Sequence, residues 1–106
     1  MAKNEMKYIL VLQFRGKSLE DFDALVELED SVNQKLDGLV EEDGHDFGSG
    51  EGNIFFGTGE PQRAFKAIKA IVGIECLAEM RAAYREKESE RYEILWPPDL
   101  KEFAIK

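Results

Sequence analysis

The sequence predicts an α+β domain, an antiparallel sheet backed by two helices on one face. Three observations carry that expectation. "KYILVLQF" (7–14) is apolar at nearly every position and rich in β-branched and aromatic residues, the mark of a strand covered on both faces. Two segments, from Ser18 to Gly38 and from Glu60 onward, repeat apolar residues at helical spacing. A glycine-rich turn joins a polar run, "LVEEDGHDFG", to an apolar one, "NIFFGT", as in a β-hairpin.

Taken in order, "RGK" closes the first strand. Tyr8, Leu10, Leu12 and Phe14 face one side of it, Ile9 and Val11 the other. Ser18 precedes Leu19-Glu20-Asp21, close to a capping box, and opens a helix. At 100° per residue, Leu19, Phe22, Leu25, Val26, Leu28, Val32 and Leu36 share its apolar face. Gly38 is the expected residue just past its end. After the hairpin, Pro61 suits the first position of a second helix, with Phe65, Ile68, Ile71 and Val72 on its buried face. A continuous helix from Pro61 to Glu88 would run about 42 Å at about 1.5 Å per residue, too long for a domain this small. Gly73 is therefore read as a stop, and "MRAAYREKESERYEILWPP" as strand, turn, strand, with the long helix as the alternative over 74–90. Pro97-Pro98 ends the last strand. The order β-α-β-β-α-β-β corresponds to a ferredoxin-like sandwich, βαββαβ(β), with an extra carboxy-terminal strand pair.

Length and composition fit one domain over 1–106. A chain of 106 residues can bury roughly two-thirds of its unfolded surface without a metal or disulfide staple. The charged share is 34 % and the hydrophobic share 43 %, too apolar for disorder. "MAKNEMKYILVLQF" lacks the features of a signal peptide, and no apolar stretch approaches the roughly 20 residues that span a bilayer. The single cysteine, Cys76, fits a reducing compartment, so a cytoplasmic protein with no membrane contact is expected. Net charge is −8, unevenly spread: residues 20–46 hold eleven carboxylates against Lys35 alone. Such a field repels phosphate backbones, which argues against nucleic acid. It attracts a basic partner.

The stretch "DGHDFGSGEGNIFFGTGEP" (43–61) admits several chemical readings. As an EF-hand loop from Asp43 it places His45, Phe47 and Ile54 where oxygen ligands belong, and fails. Asp43, His45 and Glu51 are weak candidates for a metal, with Asp46 behind them. On a regular strand Asp43 and His45 stand about 6.7 Å apart at about 3.3 Å per residue, so they converge only if a bulge at Gly44 draws them together. "GTGEPQ" lacks the third glycine of a dinucleotide fingerprint. Cys76 lies in an apolar-periodic region, where cysteine is usually an inert small hydrophobe. His45 between Asp43 and Asp46 is an acid–base candidate, yet no oxyanion hole or pocket is legible. The expectation is an edge hairpin whose charges and glycines keep it from pairing with other chains. Asp43, His45, Asp46, Glu51 and Asn53 make at most a polar site, and no cofactor is expected.

"DGHDFGSGEGNIFF", then "AF" in a helix and "AAYRE…YEILWPP" near the end, resembles a family of small uncharacterised bacterial proteins. The resemblance runs from about Asp43 to Pro98 and supports the terminal strand pair. It implies no activity, cofactor or catalytic residue.

On the first helix Glu20, Asp23, Glu27 and Asp30 are like-charged neighbours, each pair costing roughly 0.2–0.5 kcal/mol in an isolated helix. Glu41 and Glu42 continue the stripe. Glu29 falls in the middle of the apolar face; its head is expected to reach water at the helix edge, or else to pair with a lysine or arginine of the sheet or to lie where the face meets a pocket. Three functions follow. The first is a binding protein that docks a basic protein on Glu20, Asp23, Glu27, Asp30, Glu41 and Glu42, in the manner of a toxin-neutralising (immunity) protein. The second is a homodimeric small-molecule-binding or regulatory domain that buries the helix-free sheet face. The third is a metal-dependent or acid–base enzyme centred on His45. The residues favour an interaction role over a reactive one.

Overall fold

The computed structural model describes residues 6–14, 19–48, 51–72 and 80–103. The Ser18 cap, Ser49-Gly50 of the turn, the Gly73 stop and Cys76 lie outside the described residues, as do the side chains of Leu19, Glu20, Asp21 and Phe22. The elements are β1 (Tyr8–Phe14), α1 (Leu19–Lys35), β2 (Val40–Gly48), β3 (Glu51–Thr58), α2 (Pro61–Ile71), β4 (Arg81–Glu86) and β5 (Glu93–Trp96). Five strands form one antiparallel sheet in the order β2-β3-β1-β4-β5. The apolar first strand is thus its centre, and β2, the polar one, is an edge. Residues 81–86 are strand, which settles that part of 74–90 against the long helix.

Alternation along β1 sorts the core. Leu10 pairs with Phe56 and Tyr84, and Leu12 with Ile54 and Ala82. These residues pack in one cluster with Leu25 and Val32 of α1 and with Ala64, Phe65 and Ile68 of α2. Both helices therefore supply the apolar layer that covers this face, α1 over β2 and β3, α2 over β1. Glycine 38, at φ 91°, turns the chain out of α1, and Val40 then donates a 3.0 Å backbone hydrogen bond to the Leu36 carbonyl. Glu60 offers no side-chain cap to α2, but Pro61 occupies its first turn, where a missing N–H costs nothing.

The second face mixes apolar and polar residues. Val11 and Ala83 at its middle are fully buried within the single chain. Beside them Gln13 Nε2 donates to Asn53 Oδ1 at 3.1 Å, and both residues are buried. Arg85 lies 5.9 Å from the Tyr92 ring, which packs on Phe103 at 5.0 Å, so the segment after β5 returns toward this side. Among the described apolar residues of this face, Ile9, Phe55 and Ile94 keep partial exposure.

Gly52 leaves room on β3 for Leu25 of α1 and for the Phe47 ring. A methyl group there would stand 2.5 Å from Leu25 Cδ1 and 3.1 Å from the Phe47 ring. Gly52→Ala is expected to cost about 1–3 kcal/mol through overpacking, measured as a lowered urea midpoint with unchanged slope.

Candidate functional site

The edge strand β2 is interrupted where the sequence places Gly44. Glu42 pairs with Phe56 and His45 with Ile54, so β2 spends three steps where β3 spends two. That extra residue is a β-bulge, and Gly44 carries it at φ 88°, a left-handed conformation open to glycine. The consequence is a change of parity. Val40 and Glu42 face the helices; without the bulge His45 would face the other way. With it, His45 and Phe47 also turn toward α1, where their rings stack at 4.4 Å and 14°.

There His45 meets Glu29. The imidazole Nδ1 lies 2.8 Å from Glu29 Oε1 and donates its proton to the carboxylate. Glu29 is 2 % exposed. The expectation that its head reaches water is therefore overturned, and its partner is a histidine from the edge strand instead of a lysine or arginine. The cause is position: Glu29 lies on the face of α1 that covers the sheet, along with Leu25 and Val32. His45 is the half-exposed partner, its side chain 42 % accessible, and Nε2 takes no hydrogen bond from any described residue.

The pair leaves loose ends. Glu29 Oε2 and Asn33 Oδ1 are buried with no hydrogen-bond partner among the described residues. A buried acceptor left unmade costs about 1–3 kcal/mol, and more when it is charged. Glu51 Oε1 is a third such atom, on the other face of the sheet.

The five-residue polar site expected from the sequence is divided by the pleat. His45 faces α1; Asp46 pairs with Asn53 on the second face, and Glu51 stands opposite Gly48. Asp43 is exposed beside the bulge. The bulge does exist, but it sends His45 to Glu29 and away from Asp43 and Glu51. Among the described residues no three His, Cys, Asp or Glu side chains are placed to hold a metal ion.

The acidic stripe is partly divided by the same pleat. Asp23, Glu27 and Asp30 are exposed on α1, and Glu41, Glu42 and Asp43 on β2. Because α1 packs against the edge strand β2, Glu42 shares the helix side of the sheet with the α1 carboxylates, whereas Glu41, paired with Gly57, faces the opposite side. Among the described residues none of them forms an ion pair; the pairs formed there are Glu29 with His45 and Glu60 with Arg63. Glu20 lies on the same helix, its side chain outside the described set. By contrast α2 carries Arg63, Lys66 and Lys69 and no acid, with Lys69 5.3 Å from both the Phe65 and Trp96 rings. No described helix is long and apolar enough to cross a membrane.

Asn33 and the Glu29–His45 pairing were not read from sequence. Two signals pointed to them: a glutamate inside an apolar stripe needs a partner, and a lone glycine within a strand suggests a bulge. Compared with family models, with curated proteins and with solved structures, the chain matches none.

Proposed function

We propose that the chain is a docking module of ferredoxin-like architecture that binds a basic protein, in the manner of a toxin-neutralising protein, through the edge formed by α1 and β2. The observation that carries this reading is a set of exposed carboxylates with no ion-pair partner among the described residues, Asp23, Glu27 and Asp30 of α1 and Glu42 of β2, where the helix packs on the edge strand; Glu41 lies on the same strand and faces its other side. Carboxylates that repel one another on a free surface lose that repulsion when a cationic surface covers them. The polar edge strand and its bulge also discourage strand addition by other chains, which leaves side chains as the means of contact. A cytoplasmic setting is part of the proposal, supported by one cysteine in 106 residues.

The test is a triple charge reversal, Asp23→Lys, Glu27→Lys and Asp30→Lys, titrated with an arginine-rich peptide. These positions are exposed, so stability should move by less than about 1 kcal/mol. Affinity is expected to fall by on the order of a hundredfold at low salt, the scale of steering and contact charges together. Equal affinity for the reversed and natural chains would refute the reading.

A further inference from the structure

We propose that the buried polar atoms of Glu29 and Asn33 on α1, beside His45, are an anchor site for one cationic N–H donor, an arginine or lysine side chain of the basic partner. This rests on the docking reading above and adds to it the place where a partner side chain enters the chain. It starts from a mismatch of hydrogen-bonding groups. Glu29 Oε2 and Asn33 Oδ1 are both acceptors, both buried and both without a donor among the described residues. They belong to residues four apart on α1, hence neighbours on one helix face. With the Asn33 amide oriented so that Oδ1 is the buried atom, neither oxygen offers the other a proton; a donor from outside placed between them satisfies both.

The surroundings select a charged donor. Glu29 is 2 % exposed, and a carboxylate in such a setting gains roughly twice as much from a charge-assisted hydrogen bond as from a neutral one. The one described group hydrogen-bonded to it is His45, through Oε1, so Oε2 remains open. The imidazole itself is 42 % exposed and links the buried carboxylate to solvent, which marks the route of entry. Glu27 and Asp30 flank Glu29 in sequence, Glu42 faces the same side of β2, and all three are exposed. The approach is therefore negative, and no described lysine or arginine forms an ion pair with any of these groups. The stacked rings of His45 and Phe47 add a flat wall, against which a guanidinium packs well.

The experiment titrates the full chain with heptaarginine and with heptalysine by calorimetry and compares Glu29→Gln with Glu27→Gln. Each variant removes one negative charge, but Glu27 is exposed and Glu29 is buried. The anchor predicts that Glu29→Gln weakens binding roughly tenfold or more and Glu27→Gln no more than about twofold. Asn33→Leu gives a second readout. It removes an unsatisfied acceptor, so the free chain should melt at a higher temperature while peptide binding weakens; a purely structural role would move both the same way. Circular dichroism melts establish that each variant folds. A larger loss with heptaarginine assigns the site to arginine, and a larger loss with heptalysine assigns it to lysine. Equal losses indicate a site that takes either head. If Glu29→Gln and Glu27→Gln weaken binding equally, the anchor is refuted and the acidic surface stands. If the natural chain binds neither peptide at low salt, both fall.

Discussion

His45→Ala is expected to destabilise the chain by about 2–4 kcal/mol, whereas Glu29→Leu should leave stability unchanged or raise it. The asymmetry follows from burial. Removing the imidazole strands a carboxylate that is 2 % exposed, and breaking a buried pair from one side typically costs about 3–5 kcal/mol. The lower figure allows for water entering where a 42 % exposed ring had been. Removing Glu29 instead eliminates the costly group together with its unpaired Oε2, fills the space beside Leu25 and Val32 with an apolar side chain, and leaves His45 free to bond water. Urea denaturation of the two single variants and the double variant measures this directly. Equal losses for both single variants would mean that the pair is a surface contact of little consequence.

Gly44→Val carries the second large effect. An added Cβ at Gly44 meets open space, so no clash contributes. The cost is conformational: an L-residue in the left-handed region loses roughly 1–2 kcal/mol, and a β-branched one sits at the upper end. If the strand escapes that strain by giving up the bulge, His45 turns to the opposite face and Glu29 loses its partner. The expected total is therefore about 2–4 kcal/mol, with Gly44→Ala nearer to about 1 kcal/mol. Repeating the substitution in the Glu29→Leu background separates the two parts, because there only the backbone cost should remain. A loss that is the same in both backgrounds would show that the bulge does not serve the Glu29–His45 contact.

Much of this architecture can be read from local patterns. The even-numbered residues of β1 face the helices because a strand alternates, and Leu25 and Val32 are buried because they share a helical stripe. The terminal hairpin follows from the length limit on α2 and from its proline-bounded end. What escaped was the site. Sorting Asp43, His45, Asp46, Glu51 and Asn53 into one cluster relied on nearness in sequence, and a strand separates successive side chains onto opposite faces. Placing His45 correctly requires knowing that Gly44 adds a residue to one strand, a property of the pairing between β2 and β3 and not of either alone. Asn33 was equally invisible, since an asparagine at that spacing reads as an ordinary polar position until its neighbour Glu29 is known to be buried. The Gln13–Asn53 hydrogen bond on the second face is hidden for a related reason: it joins two strands, and neither strand shows it alone.

The claim that matters most is where a partner sits. Mapping backbone amide shifts of the natural chain during titration with an arginine-rich peptide tests it. The expected result is that perturbations concentrate on Asp23, Glu27 and Asp30 of α1 and on Glu41, Glu42 and His45 of β2, and fade as salt is raised. Perturbations centred on Ile9, Phe55 and Ile94, persisting at high salt, would contradict it and assign recognition to the opposite face of the sheet.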